Sequence, residues 1–314
     1  MASKTPVLLN FSALRSANRI WIQGQVIGMN NPDFNLPEMS LWKHILHLWK
    51  MYRAKPCANS ELKLQFSQVK VELQTNSHGH FSLLSENPEI NGELTGVSCK
   101  GERVICFPEL YPMRVEALKS RKMLVTDIDD TLLQTHITKP LRKLMILLFT
   151  RIAKRRSIYQ ASELINHYSG QGAQIIYLSN SEHNLFPLIR HFLLQQDFPH
   201  GPVFLKFFRT WTNLFSGFKL PLGKTHKTAV LHKLAWLNPQ AQLSLVGDDS
   251  QEDLAIYLSF ARWYPKRVKQ VIIRQVLPAP VDSKFVDVAK TQFHNLGVEF
   301  LFVPYYKILL HNNE

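Results

Sequence analysis

The sequence predicts an α/β domain with a parallel sheet, preceded by a smaller all-β sandwich. Before about residue 118, apolar and polar side chains largely alternate, which is typical of strands with one buried face. After that point, short continuous apolar runs are separated by amphipathic segments, which is typical of a parallel sheet covered on both faces. A length of 314 residues also favours two domains. We therefore expect a sandwich at 1–118 and an α/β domain at 119–314.

The first domain is predicted to be a small antiparallel sandwich with one inserted helix. Its strands are expected at 19–27, 62–73, 81–84, 93–99 and 103–106. The helix is expected at Ser40–Tyr52, where aliphatic and tryptophan side chains recur at helical spacing. This aromatic stripe is typical of core or interdomain packing rather than of a ligand site.

The second domain is predicted from five apolar runs and the helical segments between them. The strands are expected at Met123–Asp127, Ile175–Ser179, Leu243–Asp248, Val271–Arg274 and Val298–Val303. The helices are expected at Ala161–Tyr168, Asn184–Gln196, His226–Leu237, Gln251–Ala261 and Lys284–Asn295. In such a sheet, chemistry takes place beyond the carboxyl ends of the strands.

The composition indicates a globular protein with an anionic partner. Hydrophobic residues make up 45% and charged residues 19%, which excludes wholesale disorder and fibrous repeats. The 37 Lys and Arg against 24 Asp and Glu give a net charge of +13, so nucleic acid, an anionic membrane surface or a phosphorylated substrate is expected. The three cysteines form no CxxC pair, which favours a reduced cytoplasmic setting. No apolar run approaches the roughly 20 residues of a spanning helix.

Polar residues stand where three predicted strands end and where one helix begins. In chain order they are Asp127-Ile-Asp129-Asp130-Thr131, Ser179-Asn180-Ser181, Lys224 with Lys227, and Gly247-Asp248-Asp249-Ser250 followed by Asp253. The carboxyl ends of parallel strands lie at one edge of the sheet, so we expect these acids, hydroxyls and lysines to converge.

This set is chemically consistent with phosphoryl transfer. Asp127 and Asp248 would repel each other unless a cation lay between them, and Mg²⁺ is the natural choice for oxygen ligands. Asp127 can attack phosphorus and form an aspartyl-phosphate. Asp129 can donate a proton to the leaving alkoxide and then activate water. Ser179 and Lys227 would bind the transferring phosphoryl oxygens.

The ordered motifs resemble those of the haloacid dehalogenase superfamily, which are DxDx[TV], a Ser or Thr, a Lys, and GD followed by a spaced Asp. Within it, the sequence is similar to the actin-patch-associated phosphatidate phosphatase family, over about Arg121 to Val276. The similar stretches are 125–133, 177–181, 201–206, 226–227, 245–257 and 271–274. The resemblance implies a Rossmann-like parallel sheet of the haloacid dehalogenase type. The preceding β-rich segment also fits, because bacterial members carry a small sandwich there.

The resemblance also implies a role for each matching residue. The expected catalytic residues are Asp127 as nucleophile, Asp129 as acid and base, Ser179 and Lys227. The expected phosphate-binding residues are Ser179, Asn180, Lys227 and Thr131, and the expected Mg²⁺ ligands are Asp127, Asp129, Asp248 and Asp253.

Three positions leave alternatives open. Lys224 competes with Lys227 for the role of the family lysine. Asp249 stands where the family has Ser or Thr, so either Asp248 or Asp249 could face the metal, and we favour Asp248. Asp130 fits the doubled acid of the family, and it fits equally well as an acid at a helix N-terminus.

A basic segment lies between the first two motifs. Residues Lys139–Arg156 contain seven basic side chains, no acid and an apolar middle, inside an expected cap-like insertion at about 134–170. This pattern predicts either a basic amphipathic helix on an anionic membrane or a cap helix that packs its apolar side on the core. Phe204–Trp211 and Leu214–Phe218 repeat the mixture of aromatic and basic side chains.

These observations together predict a Mg²⁺-dependent phosphatase, with phosphatidate or a related lipid phosphate as substrate. The expected setting is the cytoplasm, with peripheral association to an anionic membrane. A soluble phosphomonoester, such as a sugar or inositol phosphate, is the alternative substrate. An inactive membrane- or nucleic-acid-binding protein is the alternative class, and nucleic acid ranks behind a phospholipid surface.

Overall fold

The computed structural model describes residues 4–30, 32, 50–129, 131–132, 158, 160–206, 226–249, 252–276 and 283–306. The chain divides into two compact units. The first unit comprises residues 1–119, 181–191 and 205–219, and the second comprises residues 120–180, 192–204 and 220–314. The first change of unit falls between residues 119 and 120, and two later segments return to the first unit. The predicted domain division at 118 stays a prediction.

The first unit is built from two sheets. The first sheet has the order β3-β2-β1-β9, with β6 also paired to β2, and the second has the order β5-β4-β7-β8. The strands are β1 Thr5–Ser16, β2 Arg19–Met29, β3 Lys55–Pro56, β4 Glu61–Phe66, β5 Lys70–Gln74, β6 His80–Ser85, β7 Leu94–Cys99, β8 Glu102–Arg103 and β9 Val115–Ala117. Face-to-face packing of these sheets as a sandwich stays a prediction.

The expectation of a wholly antiparallel arrangement was wrong at one pair of strands. β9 runs parallel to β1, with Ala13 opposite Val115, whereas the other strand pairs within the two sheets are antiparallel. β9 reaches β1 after a long connection, so no hairpin turn sets its direction. Composition alone carries no signal for such a pairing.

The two central strands of the first unit are buried along almost their whole length. The alternation in β2 predicted one solvated face, yet every residue from Ile20 to Met29 is buried. The Gln25 side chain finds partners inside the protein: its amide nitrogen donates to the carbonyl of His78 at 2.8 Å, and its oxygen lies 2.9 Å from Nδ1 of His183. A polar residue of this alternating pattern is thus buried and hydrogen-bonded rather than exposed. Burying a hydrogen-bonded polar group costs much less free energy than burying an unpaired one.

Two strand predictions in this unit need correction. The segment 62–73 was expected to be one strand, but it is a hairpin of β4 and β5, closed by a bond from the Phe66 N–H to the carbonyl of Val69. The turn contains no Gly or Pro, so the usual turn signal is absent. β1 was not predicted at all, although it pairs with β2 along almost its full length.

The second unit contains a six-stranded sheet of order β12-β11-β10-β13-β14-β15. Its strands are β10 Lys122–Thr126, β11 Gln174–Glu182, β12 Val203–Lys206, β13 Gln242–Asp248, β14 Val268–Arg274 and β15 Glu299–Val303. β10 pairs in parallel with β11 and β13, and the pairs β13–β14 and β14–β15 are also parallel. The predicted mixed α/β fold with a parallel sheet is confirmed, although β12 was not foreseen.

Five helices lie at the predicted places among the described residues between 160 and 306. They are α1 Ala161–Gly170, α2 Phe186–Gln195, α3 His226–Leu237, α4 Asp253–Trp263 and α5 Ser283–Asn295. α4 contacts β13, β14 and its neighbour α3, while α5 contacts β15. The apolar residues of β10 from Met123 to Val125 are fully or almost fully buried, as expected for a central strand.

Several predicted segments lie outside the described residues. These are Lys139–Arg156, Leu214–Phe218, most of Ser40–Tyr52, and the single residues Asp130, Lys224 and Ser250. Of the expected helix at 40–52, residues 50–53 are helical, and Met51 and Tyr52 are buried. At the start of the segment 204–211, Phe204 and Leu205 are buried. Within the described part of the chain, no helix is long and apolar enough to cross a membrane.

Candidate active site

The parallel ladder brings two aspartates to one edge of the sheet. β10 lies between β11 and β13, and Asp127 follows the last residue of β10. The Asp127 N–H donates to the carbonyl of Val246 at 2.8 Å, which extends the ladder by one bond. Asp248 is the last residue of β13. Asp127 and Asp248 both have 0% exposure, so each carboxyl group is held away from water.

A third aspartate completes a buried acidic cluster. Asp253 is the first residue of α4, the helix that follows β13. One carboxylate oxygen from each of Asp127, Asp248 and Asp253 lies within 4.8 Å of the others, and all three residues are buried. Three carboxylates this close disfavour full ionisation unless cations balance them.

Gly247 allows Asp253 to approach the strand. A Cβ atom at position 247 would lie 2.5 Å from Oδ2 and 2.9 Å from Cβ of Asp253. The absence of a side chain at this position is therefore what leaves room for the third carboxylate. This gives a physical reason for a glycine directly before Asp248.

We expect Gly247→Ala to weaken the acidic cluster. The new methyl group must displace Asp253, with an expected cost of about 1–3 kcal/mol in unfolding free energy. It should also raise the Mg²⁺ concentration needed for half-maximal thermal stabilisation about tenfold, because one carboxylate is moved. Gly170→Ala is the matched control, since nothing lies within 4 Å of a Cβ there. If both variants needed the same Mg²⁺ concentration for half-maximal thermal stabilisation, this explanation of Gly247 would be wrong.

Lys227 supplies a buried positive charge to the cluster. It is the second residue of α3, and its Nζ lies 2.7 Å from Oδ1 of Asp127 and 2.5 Å from Oδ1 of Asp253. Burial by itself would lower the pKa of Lys227, but the charges of Asp127 and Asp253 outweigh it and raise that pKa above its usual value. Lys227 is therefore charged at neutral pH.

One ammonium does not balance three carboxylates. Burial raises the pKa of Asp127 well above its ordinary value, although the charge of Lys227 acts in the opposite direction. The neighbouring carboxylates of Asp253 and Asp248 raise it further. With all three acids ionised, the group carries a charge of −2, which a divalent cation would neutralise.

The donor set fits a hard divalent cation. Oδ2 of Asp253 is buried and has no hydrogen-bond partner in the described part of the protein. An orphan carboxylate oxygen inside a protein is costly, and a cation is a natural partner for it. All ligand atoms of the cluster are oxygens, which Mg²⁺ prefers.

Thr131 connects the two strand-end acids. Its hydroxyl lies 3.3 Å from Oδ2 of Asp127 and 3.3 Å from Oδ2 of Asp248, and it can donate its proton to either. The Thr131 carbonyl accepts a hydrogen bond from the Tyr306 hydroxyl at 3.1 Å. The structure thus brings Thr131 against the acids, whereas its phosphate-binding role stays a prediction.

Asp129 lies outside the group of three acids and contacts Ser179. The Ser179 hydroxyl donates to Oδ2 of Asp129 at 2.6 Å, and both residues are buried. The charge of Asp129 helps to raise the pKa of Asp127, so the two carboxyl groups are near neighbours, and the expected role of Asp129 as a metal ligand stays a prediction. Asn180 is the next residue of β11 and is half-buried.

Asp249 points elsewhere than its neighbour Asp248. Its Oδ1 accepts a hydrogen bond from the Val276 N–H at 2.7 Å, and its own N–H donates to the carbonyl of Arg274. Those contacts tie it to the end of β14. Of the two adjacent acids, Asp248 is the one grouped with Asp127 and Asp253.

Two buried tyrosines beside the cluster were not predicted. The Tyr257 hydroxyl donates to the carbonyl of Val246 at 3.1 Å, and Tyr306 contacts Thr131. Burial raises the pKa of both hydroxyls, and the nearby carboxylates add to the effect. Tyr257 lies four residues after Asp253, so helical spacing could have placed it on the same face. Tyr306 is 175 residues from Thr131, and no local pattern marks it.

Comparison with known proteins finds a family model that matches the part of the chain containing the acidic cluster. Residues 122–275 match the family model described as phosphatidate phosphatase APP1, catalytic domain. An uncharacterized protein of Schizosaccharomyces pombe is 24% identical over 170 residues, or 54% of this chain and 27% of that protein. Phosphatidate phosphatase APP1 of Saccharomyces cerevisiae is 24% identical over 161 residues, or 48% of this chain and 25% of that protein. The matched part thus spans about a quarter of these curated relatives.

A chain from the structure of a Pnkp1/Rnl/Hen1 complex aligns with a TM-score of 0.35 and 14% identity, over 51% of this chain and 47% of that chain. The stronger finding is the family model, whose range contains the three clustered aspartates and Lys227. Residues 122–275 of the chain therefore belong to the family of the phosphatidate phosphatase APP1 catalytic domain.

Proposed function

We propose that this protein is a Mg²⁺-dependent phosphatase of the haloacid dehalogenase type that hydrolyses phosphatidate to diacylglycerol and phosphate. The observation that carries the proposal is the buried group of Asp127, Asp248 and Asp253 with Lys227 between two of them. Burying so many charges costs folding free energy, and buried acids with strongly shifted pKa values cluster at functional sites. The family description supports the phosphatase chemistry.

Asp127 is the proposed nucleophile. Its carboxylate oxygen forms a bond to phosphorus while the bond from phosphorus to the alcohol oxygen breaks. Asp129 gives its proton to the departing alkoxide, and the Ser179 hydroxyl at 2.6 Å holds Asp129 in position for this transfer. Asp129 then takes a proton from water, whose oxygen attacks phosphorus and releases Asp127.

The remaining charged residues stabilise the transferring group. The Lys227 ammonium lies beside the nucleophile and offsets negative charge on the phosphoryl oxygens. Asp127, Asp248 and Asp253 would hold Mg²⁺, which supplies charge neutralisation of the phosphoryl group when bound. Thr131 keeps the carboxylates of Asp127 and Asp248 oriented through its hydroxyl.

The proposal of a lipid substrate is based on the family match and on the net positive charge of the chain. The family model carries the description of a phosphatidate phosphatase, and the net charge of +13 favours an anionic surface. We accordingly place the protein in the cytoplasm with peripheral membrane association, and propose a β-sandwich at 1–118 before a catalytic domain at 119–314. A sugar or inositol phosphate is the alternative substrate. The intact set of acids and lysine disfavours an inactive binding protein.

Metal removal tests the chemistry. We expect phosphate release from phosphatidate vesicles to stop with EDTA and to return with excess Mg²⁺, because the three carboxylates would hold the cation that neutralises the phosphoryl group. Mg²⁺ at one hundred times its Kd should also stabilise the fold by about 2.7 kcal/mol, which differential scanning calorimetry would detect. Activity that persists in EDTA would contradict the proposed metal.

A substrate panel separates lipid from soluble phosphomonoesters. Phosphatidate in vesicles, phosphatidate in detergent, glucose 6-phosphate and an inositol monophosphate would be compared at equal phosphate concentration. A preference for phosphatidate of at least tenfold in kcat/KM is expected. A preference for a soluble substrate would keep the mechanism and overturn the lipid assignment.

A further inference from the structure

A hollow in the first unit has five basic side chains among the fifteen described residues that line it. It forms over Gly28 in β2, which pairs with Pro6 of β1 on one side and with Lys55 of β3 on the other. A Cβ atom at position 28 would lie 3.2 Å from Cβ of Lys4, so the missing side chain keeps the floor open. Two adjoining cavities of about 750 and 490 Å³ meet there and share Lys4, Gly28, Asn30 and Lys55.

Five basic residues surround this hollow, against one acid. Lys4 and Lys55 border both cavities, Lys100 borders the larger one, and Lys50 and Arg53 border the smaller one. Among the described residues that line the cavities, Glu102 is the acid. The lining therefore carries a net charge of +4. Like charges around a concave surface raise the local positive potential and attract anions.

The fold brings these cations together from three separate parts of the chain. Lys4 precedes β1, and its Nζ donates to the carbonyl of Arg53 at 3.2 Å. Lys100 and Gly101 form the turn between β7 and β8 with φ values of 52° and 80°. Asn, Asp or Gly is usual at the first position of such a turn, so a lysine there is held in an unfavourable backbone conformation. The Lys100 N–H bond to the carbonyl of Glu61 fixes this turn.

We propose that this hollow, which we call the Gly28 pocket, is an anion site that binds the phosphate group of a phosphomonoester. Each of its two cavities, of about 750 and 490 Å³, lies within the usual range for ligand sites of about 300–1,000 Å³. Lysine ammonium groups bind phosphate as point charges from several directions, which suits a cluster of this kind. The pocket uses no residue of the acidic site, so it does not depend on the proposed phosphatase function. A soluble phosphomonoester and a lipid headgroup share the required chemistry.

Charge-neutral variants test the pocket directly. Lys4→Gln, Lys55→Gln and Lys100→Gln would be combined in the full chain. The matched control combines Lys70→Gln, Arg114→Gln and Lys119→Gln, which removes the same charge from exposed positions elsewhere in the first unit. Both proteins would be checked by circular dichroism and by turnover of a soluble phosphomonoester.

Binding would be measured with two probes in EDTA, so that hydrolysis is suppressed. Calorimetry with glycerol 3-phosphate tests the soluble source, and flotation with vesicles of phosphatidate in phosphatidylcholine tests the lipid source. We expect the pocket variant to bind at least one of these probes on the order of a hundredfold more weakly than wild type, since each basic side chain contributes roughly a factor of five at an anionic surface. The control should change less than threefold by the same measurement, and the probe affected identifies the source.

A second readout uses the pocket wall. Cys57 and Cys99 line the larger cavity, so bound phosphomonoester should slow labelling of Cys57 by a thiol reagent in wild type and not in the pocket variant. Equal affinity losses in the pocket variant and the control would overturn the proposal. Loss of binding to a short DNA duplex, with phosphomonoester binding unchanged, would also overturn it. Wild-type protein without phosphatase activity but with this binding pattern would still support the pocket.

Discussion

Asp127→Asn is expected to lower phosphate release by at least about a thousandfold while the fold persists. An amide oxygen is a poor nucleophile, so the first chemical step should fail. The substitution also removes one of three clustered buried carboxylates, so repulsion with Asp248 and Asp253 decreases. The Lys227 ammonium keeps its partner Asp253 at 2.5 Å. We therefore expect a thermal midpoint in EDTA equal to or above that of wild type, measured beside kcat/KM.

Asp249→Asn provides the matched control. Asn retains an oxygen that can accept the bond from the Val276 N–H at 2.7 Å, and Asp249 lies outside the acidic group. Activity within about tenfold of wild type is expected for this variant. If Asp249→Asn were as inactive as Asp127→Asn, the assignment of Asp248 rather than Asp249 to the metal site would be wrong. Unchanged turnover in Asp127→Asn would remove the proposed nucleophile.

Lys227→Met is expected to cost about 3–5 kcal/mol in unfolding free energy without Mg²⁺. The Lys227 side chain has 0% exposure and contacts both Asp127 and Asp253. Its removal leaves buried carboxylates without their cation, and such unpaired buried charge is strongly destabilising. Urea unfolding in EDTA gives the value. Added Mg²⁺ should recover part of the loss, because a divalent cation supplies charge to the same carboxylates.

Lys233→Met on the same helix is the control for this second variant. Lys233 is half-buried, and partial burial lowers its pKa, so its replacement by an apolar side chain should change stability by less than about 1 kcal/mol. Similar losses for both variants would mean that the charge of Lys227 is not what stabilises the site. A Lys227→Met protein insensitive to Mg²⁺ would argue against a cation among these acids.

Much of the site could be predicted because parallel strands end at one edge. The order of Asp127, Ser179, Lys227 and Asp248 along the chain was visible, and alternating strands and helices implied a common location. The sheet order β11-β10-β13 then places the first and last of these on adjacent strands. Positions within a single element can also be predicted from local sequence. The position of Lys227 in the first turn of α3 is an example.

Other features depended on contacts between distant residues. The burial of both faces of β2, the parallel pairing of β9 and the hairpin within 62–73 have no local signal of their own. Polar residues in a strand are predicted to face solvent when their partners are unknown. Gln25 is an example, because its partner His183 lies 158 residues away in the chain. Such pairings depend on long-range packing, which propensity and alternation do not encode.

By itself, the sequence determined that the chain has a β-rich part and an α/β part, and that acids, hydroxyls and a lysine close its parallel strands. Only the tertiary structure decided which acids meet. Asp127, Asp248 and Asp253 share one buried site, Asp129 pairs with Ser179, and Asp249 turns to Val276. The physical reason is that the order of the strands and the approach of Asp253 to Gly247 set these distances, and both arise only when the helix and the strands pack.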